Sequence, residues 1–149
     1  MCRLIPVLGS LIVLAAALAC GGSLEPDTLI GTWYLQTYND STVPGIAIFR
    51  TSSDSSALAI DSVRLRLGDG SACDWLVKLT DEPANATSTC IWTLDANPDD
   101  LLVTIEGGFD LRGDAAAAAL RLRDPNGNWL VFGREPAVPE PIEPNPRRR

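Results

Sequence analysis

Gly31-Thr32-Trp33-Tyr34-Leu35-Gln36-Thr37-Tyr38 is the stretch that decides the fold. Aromatic and β-branched residues alternate through it without a break, which fits a pleated, half-buried strand. Trp33, Leu35 and Thr37 fall on one face; Tyr34, Gln36 and Tyr38 fall on the other. Similar alternation recurs at 46–51, 57–67, 72–80, 87–95, 101–106, 115–123 and 128–134. Turn formers separate these runs, notably Gly68-Asp69-Gly70, Asn97-Pro98-Asp99-Asp100 and Asp124-Pro125-Asn126-Gly127. About eight short strands at this spacing predict an all-β, single antiparallel up-and-down barrel, complete, reduced or partly open.

Some segments need a local decision. In 57–67 the apolar parity slips between Ile60 and Val63, so a β-bulge is expected near Asp61-Ser62. Residues 109–113, after Gly107-Gly108, read as a short connecting piece. The run 115–123 admits two readings. Its alanines after Asp114 suit a capped helix, but Leu120-Arg121-Leu122-Arg123 alternates into a hairpin signal, which favours strand. The tail 135–149 holds Pro136, Pro139, Pro141, Pro144 and Pro146 and cannot enter a sheet interior.

The first residues belong to another job. Arg3 followed by the apolar run 4–18 has the form of a signal peptide over 1–19, too short to span a bilayer. Ala17-Leu18-Ala19-Cys20-Gly21 resembles a bacterial lipobox, which implies lipid on Cys20; a plain secreted protein is the alternative. Residues 20–29 then form a tether, and Gly21 after the cysteine implies outer-membrane delivery in the cell envelope. Cys2 leaves with the leader and Cys20 takes the lipid, so Cys73 and Cys90 remain for a disulfide, or as two buried thiols.

Composition narrows the chemistry. The 149 residues include no histidine, which removes the commonest general base and metal ligand. Without Arg3 the chain has 11 basic and 19 acidic residues, a balance of −8 that argues against nucleic acid. No nucleophile has a base beside it in sequence, and Asp99-Asp100, as adjacent strand residues, would point apart. We expect no enzyme activity, no metal and no cofactor.

Gly31-Thr32-Trp33 resembles the Gly-x-Trp motif that opens the first strand of lipocalins, and Gly-Thr-Trp-x-Leu-Gln-Thr is similar to the start of bacterial lipocalin-like lipoproteins. The likeness covers residues 30–134. It implies that Arg134, after Trp129-Leu130-Val131-Phe132-Gly133, packs across Trp33 where the barrel closes. It also implies a monomeric barrel that holds a small apolar or amphipathic ligand, with Trp75 and Trp92 as candidate contacts. The competing expectation is a solid-cored interaction module in which Trp33, Trp75, Trp92 and Trp129 are all core.

Overall fold

The computed structural model describes residues 24–95 and 100–137. The leader, Cys20, the centre of the turn before Asp100 and the tail beyond Ala137 lie outside the described residues. A one-turn helix, α1 (Pro26–Leu29), precedes β1 (Gly31–Tyr38), β2 (Ser41–Thr42), β3 (Gly45–Arg50) and the long β4 (Ser55–Leu67). A 3-10 turn at Asp69–Ser71 leads into β5 (Ala72–Leu79). Then follow β6 (Ala86–Leu94), β7 (Leu101–Ile105), β8 (Asp110–Ala115), β9 (Ala119–Arg123) and β10 (Trp129–Gly133).

From β4 to β10 each strand pairs antiparallel with the next. β1 pairs with β10 on one side and with the end of β4 on the other, so eight strands close into an up-and-down barrel. Its closing seam against β4 runs only from Gly31↔Leu67 to Tyr34↔Arg64. Beyond it β1 and β4 diverge. There β3 lies along the first half of β4, and β2 pairs with the end of β1.

The strand count is as expected, but the membership differs. The 46–51 strand is β3, outside the closed ring. Its place is taken by β8, in the region expected to be a connecting piece. The 115–123 run is neither one strand nor a helix: Ala115 ends β8, Ala119 begins β9, and the backbone N–H of Ala116 donates to Ala119 O at 2.9 Å across the turn. Gly113 makes the hairpin possible, since a Cβ there would lie 2.2 Å from Arg121 O. β8 is poor in β-formers because this close approach requires glycine and its outward positions are charged.

Two bulges set the inner face. One falls between Ile60 and Ser62, as the parity slip predicts. The other falls between Leu35 and Thr37 and was not legible. It reverses the alternation late in β1, so Tyr38 is buried and Thr37 is only half-buried, opposite to the simple reading.

The barrel interior is packed solid at the end where the β1–β4 seam lies. Trp33, Leu65, Leu101, Leu120 and Phe132 are fully buried there or beside it. Each such side chain contributes roughly 1.5–3 kcal/mol relative to exposure. Leu29 of α1 is fully buried too, so residues expected to belong to the tether are part of the domain. Cys73 and Cys90 face each other across β5 and β6 and are joined by a disulfide, with Cα atoms 4.8 Å apart.

Candidate functional site

The two ends of the barrel differ in kind. At the sealed end the Trp33 indole N–H donates to Leu29 O at 2.9 Å, anchoring α1 over the strands. The Arg134 guanidinium carbon lies 3.6 Å from the Trp33 ring centroid. Arg134 also donates to the carbonyls of Ile30 at 3.2 Å, Ala117 at 3.4 Å and Thr28. One side chain thus ties α1, the start of β1 and the β8–β9 turn together. Burial draws its pKa down, yet an arginine remains cationic at any ordinary pH. Gly31 is needed here: its φ is +127°, and a Cβ would stand 3.0 Å from Arg134 Nη1. The Trp33–Arg134 pair is therefore present and blocks this end.

Trp92 belongs to the same end. Its indole N–H donates to Gly68 O at 3.0 Å, far along β6 from the opposite mouth, so this candidate ligand contact is structural. Trp129, unlike the three buried tryptophans, is not core. It stands half-buried on the outer face, with the Arg121 and Arg123 guanidinium carbons 4.3 and 5.4 Å from its ring. Two opposed arginines on β9 hold it there because Trp129 pairs with Arg123 and Val131 with Arg121.

Of the two candidates Trp92 borders only an open hollow of about 370 Å³ beside α1 and the Asp69–Ser71 turn, whereas Trp75 lines a recess that enters the barrel. At the other end of the barrel an apolar recess of about 170 Å³ enters the interior. Leu35, Leu58, Ile60, Val63, Val77 and Leu130 give it aliphatic walls. Four rings complete it: Tyr38, Phe49, Trp75 and Phe109. Tyr38 and Phe49 have centroids 6.4 Å apart; Phe109 meets Trp75 edge-on at 6.3 Å. Larger hollows exist, such as a groove of about 620 Å³ beside Arg112 and Arg123, but it is open and lies toward the outer face.

One charged group lines the recess. Asp124, only 7% exposed, accepts from the Asn128 backbone N–H at 2.8 Å and from its side-chain amide at 2.7 Å. Burial, and then the Asp124 charge, push the Tyr38 phenol above the usual tyrosine range, so it remains protonated at neutral pH. Asn128 is fully buried and does more than hold Asp124. Its amide also donates to Arg50 O at 2.9 Å, and its oxygen accepts from Arg50 N at 3.0 Å and from Asn39 Nδ2 at 2.7 Å. Asn39 Nδ2 in turn donates to Ile48 O at 2.8 Å, and Asn39 Oδ1 accepts from Trp129 N at 2.8 Å. Two asparagine side chains thereby replace a strand along the free edge of β3, holding it across the gap beside the recess.

Sequence reading missed Tyr38, Phe49, Phe109, Asp124, Asn39 and Asn128. Asp124 and Asn128 flank a strong turn signal, Phe109 follows Gly107-Gly108, and the bulge hid Tyr38. Among the described residues no three His, Cys, Asp or Glu side chains gather as metal ligands. The recess thus offers apolar contact, ring faces, one phenol donor and one carboxylate. Comparison of the chain with family models, curated proteins and solved structures finds no match.

Proposed function

We propose that this chain is an exported lipoprotein of the cell envelope whose lipocalin-like barrel binds a small apolar or amphipathic molecule at its open end. The observation that carries the reading is the recess: an interior hollow lined by four rings and six aliphatic side chains in a barrel otherwise packed solid. Its volume is close to the ~150 Å³ of an apolar cavity that takes benzene, and below the ~300 Å³ of a drug-sized site. One ring, a branched head or a short chain end fits inside; the rest of a longer molecule would lie across the rim. The family likeness draws support from the contact of Trp33 with Arg134 at the closing seam.

Attachment rests on the sequence around Cys20. The lipid there would join the barrel to a membrane, with the outer membrane as the proposed location and the barrel acting as a monomer. Labelled fatty acid should enter the wild-type protein and not Cys20→Ala; equal labelling would remove the anchor from the reading.

Ligand binding is tested by titration with fluorescent fatty-acid probes of several chain lengths. Saturation near one equivalent, with quenching of Trp emission and loss of binding in Leu58→Trp, is the expected result. No saturable signal with any probe would refute it. A second reading, an interaction module without a ligand, draws on Ile46 and Ile48, which are 69% and 45% exposed on the outer face of β3. It gains if every titration is flat.

A further inference from the structure

The recess carries one carboxylate that takes part in no ion pair among the described residues. Asp124 lines it and is held by two amide hydrogen bonds from Asn128, not by a cation. Among the described residues the single ion pair is Lys78 with Asp61. The nearest arginine in sequence, Arg123, is exposed and turns its guanidinium toward Trp129 on the outer face. Asp124 also borders the open groove lined by Arg112 and Arg123, yet neither guanidinium reaches it at ion-pair distance, so the carboxylate can still meet a cation in the recess.

Around this charge stand ring faces. Tyr38, Phe49, Trp75 and Phe109 line the same small volume from β1, β3, β5 and the β7–β8 turn. Aromatic faces carry negative electrostatic potential and attract cations, most strongly when both partners are desolvated. Several rings around one carboxylate form the arrangement that suits an ammonium group bearing apolar substituents. An anionic head would meet like charge. The loops and strand ends here add to the bias: Asp40, Asp54, Asp81, Glu82, Glu106 and Asp110 are all exposed, against Arg50, Arg112, Arg123 and a Lys78 already paired with Asp61. Such a rim raises the local concentration of cations.

Resting on the recess as a ligand site, the geometry points to a specific ligand class: a small tertiary or quaternary ammonium compound, its charged head seated among Tyr38, Phe49, Trp75 and Phe109 beside Asp124. This reverses the usual placing of an amphiphile in a barrel, with the head inward and any chain toward the rim. The volume of about 170 Å³ matches a head of this size rather than a long acyl chain.

The test is a matched pair. Choline and its uncharged isostere 3,3-dimethylbutan-1-ol have the same shape and differ in the cation. Each is titrated into the full chain by calorimetry and Trp emission. Choline should bind at one equivalent about tenfold tighter than the isostere. Asp124→Asn should erase most of that difference. Phe109→Leu, at an exposed rim position that does not threaten the fold, should weaken choline several-fold and the isostere clearly less. Equal or tighter binding of the isostere overturns the ammonium assignment and leaves the ligand site standing. Failure of both small molecules, with the fatty-acid probes still saturable, also overturns it. If those probes fail as well, the ligand site falls with it.

Discussion

Arg134→Ala is the perturbation whose cost the structure constrains best. The guanidinium over Trp33 has a fully buried ring beneath it and is itself half-buried, which places the cation–π contribution at about 1 kcal/mol. The hydrogen bond to Ile30 O is partly buried and adds about 1 kcal/mol. The carbonyls of Thr28 and Ala117 are exposed, so water replaces the lost donor and each contributes a few tenths. The expected destabilisation is about 2–3 kcal/mol. With a urea slope near ~1.5 kcal/mol/M the midpoint should fall by about 1–2 M. Arg134→Lys keeps the charge but not the planar fork, and should recover about half. A double-mutant cycle with Trp33→Phe isolates the ring contact. An Arg134→Ala midpoint within about 0.2 M of wild type would refute the account of this seal.

Three further outcomes follow from other contacts. Replacing Cys73 and Cys90 together by Ala should cost about 3 kcal/mol, the loop-closure estimate for a bridge between residues 17 apart, read from the same urea curves. Asn128→Ala leaves Arg50 N and Arg50 O without a partner and Asp124 with only the backbone N–H of residue 128; about 2–3 kcal/mol should be lost, and the Arg50 amide should exchange far faster than amides of β7. Tyr38→Phe changes the alkaline limb: the folded protein keeps a phenol proton that the unfolded chain releases near pH ~10, so wild-type stability falls above that pH, and the variant should lose that part of the slope.

Barrel class, bulge at Asp61 and the hairpin at Gly68 were all legible, because period-two alternation and turn chemistry act locally. The Cys73–Cys90 bridge was legible too, since each cysteine shares an inner face with a tryptophan two residues on. What failed was decided by partners distant in sequence. β8 carries Asp110, Arg112, Gly113 and Asp114, and only the neighbouring strand explains them: Arg121 O comes too close for a side chain at Gly113. β3 alternates like a barrel strand, yet β1 and β4 meet without it. The recess was hidden for a similar reason. A one-residue bulge in β1 decides whether Tyr38 or Thr37 enters the interior, and nothing in residues 31–38 records it. Asn39 and Asn128 read as turn residues; their second task, stitching the edge of β3, depends on Ile48 and Arg50 arriving beside them.

The order in which the barrel closes has a consequence for how the chain is made. β1 is synthesised first among the barrel strands, but one of its two barrel partners is β10, about a hundred residues later, as in Tyr34↔Gly133. The β4–β10 meander needs only neighbouring hairpins, and hairpins form quickly; contacts of long sequence separation form late. The first strand to emerge is thus the last to find both its edges. Until then Trp33 and Leu35 lie on a strand with at least one open edge, a segment exposed to pairing with another molecule. Arg134 comes after the final strand and locks the seam once it is made. Its removal should therefore accelerate unfolding and leave the folding rate nearly unchanged, and a slowed folding limb would place the seam in the nucleus instead.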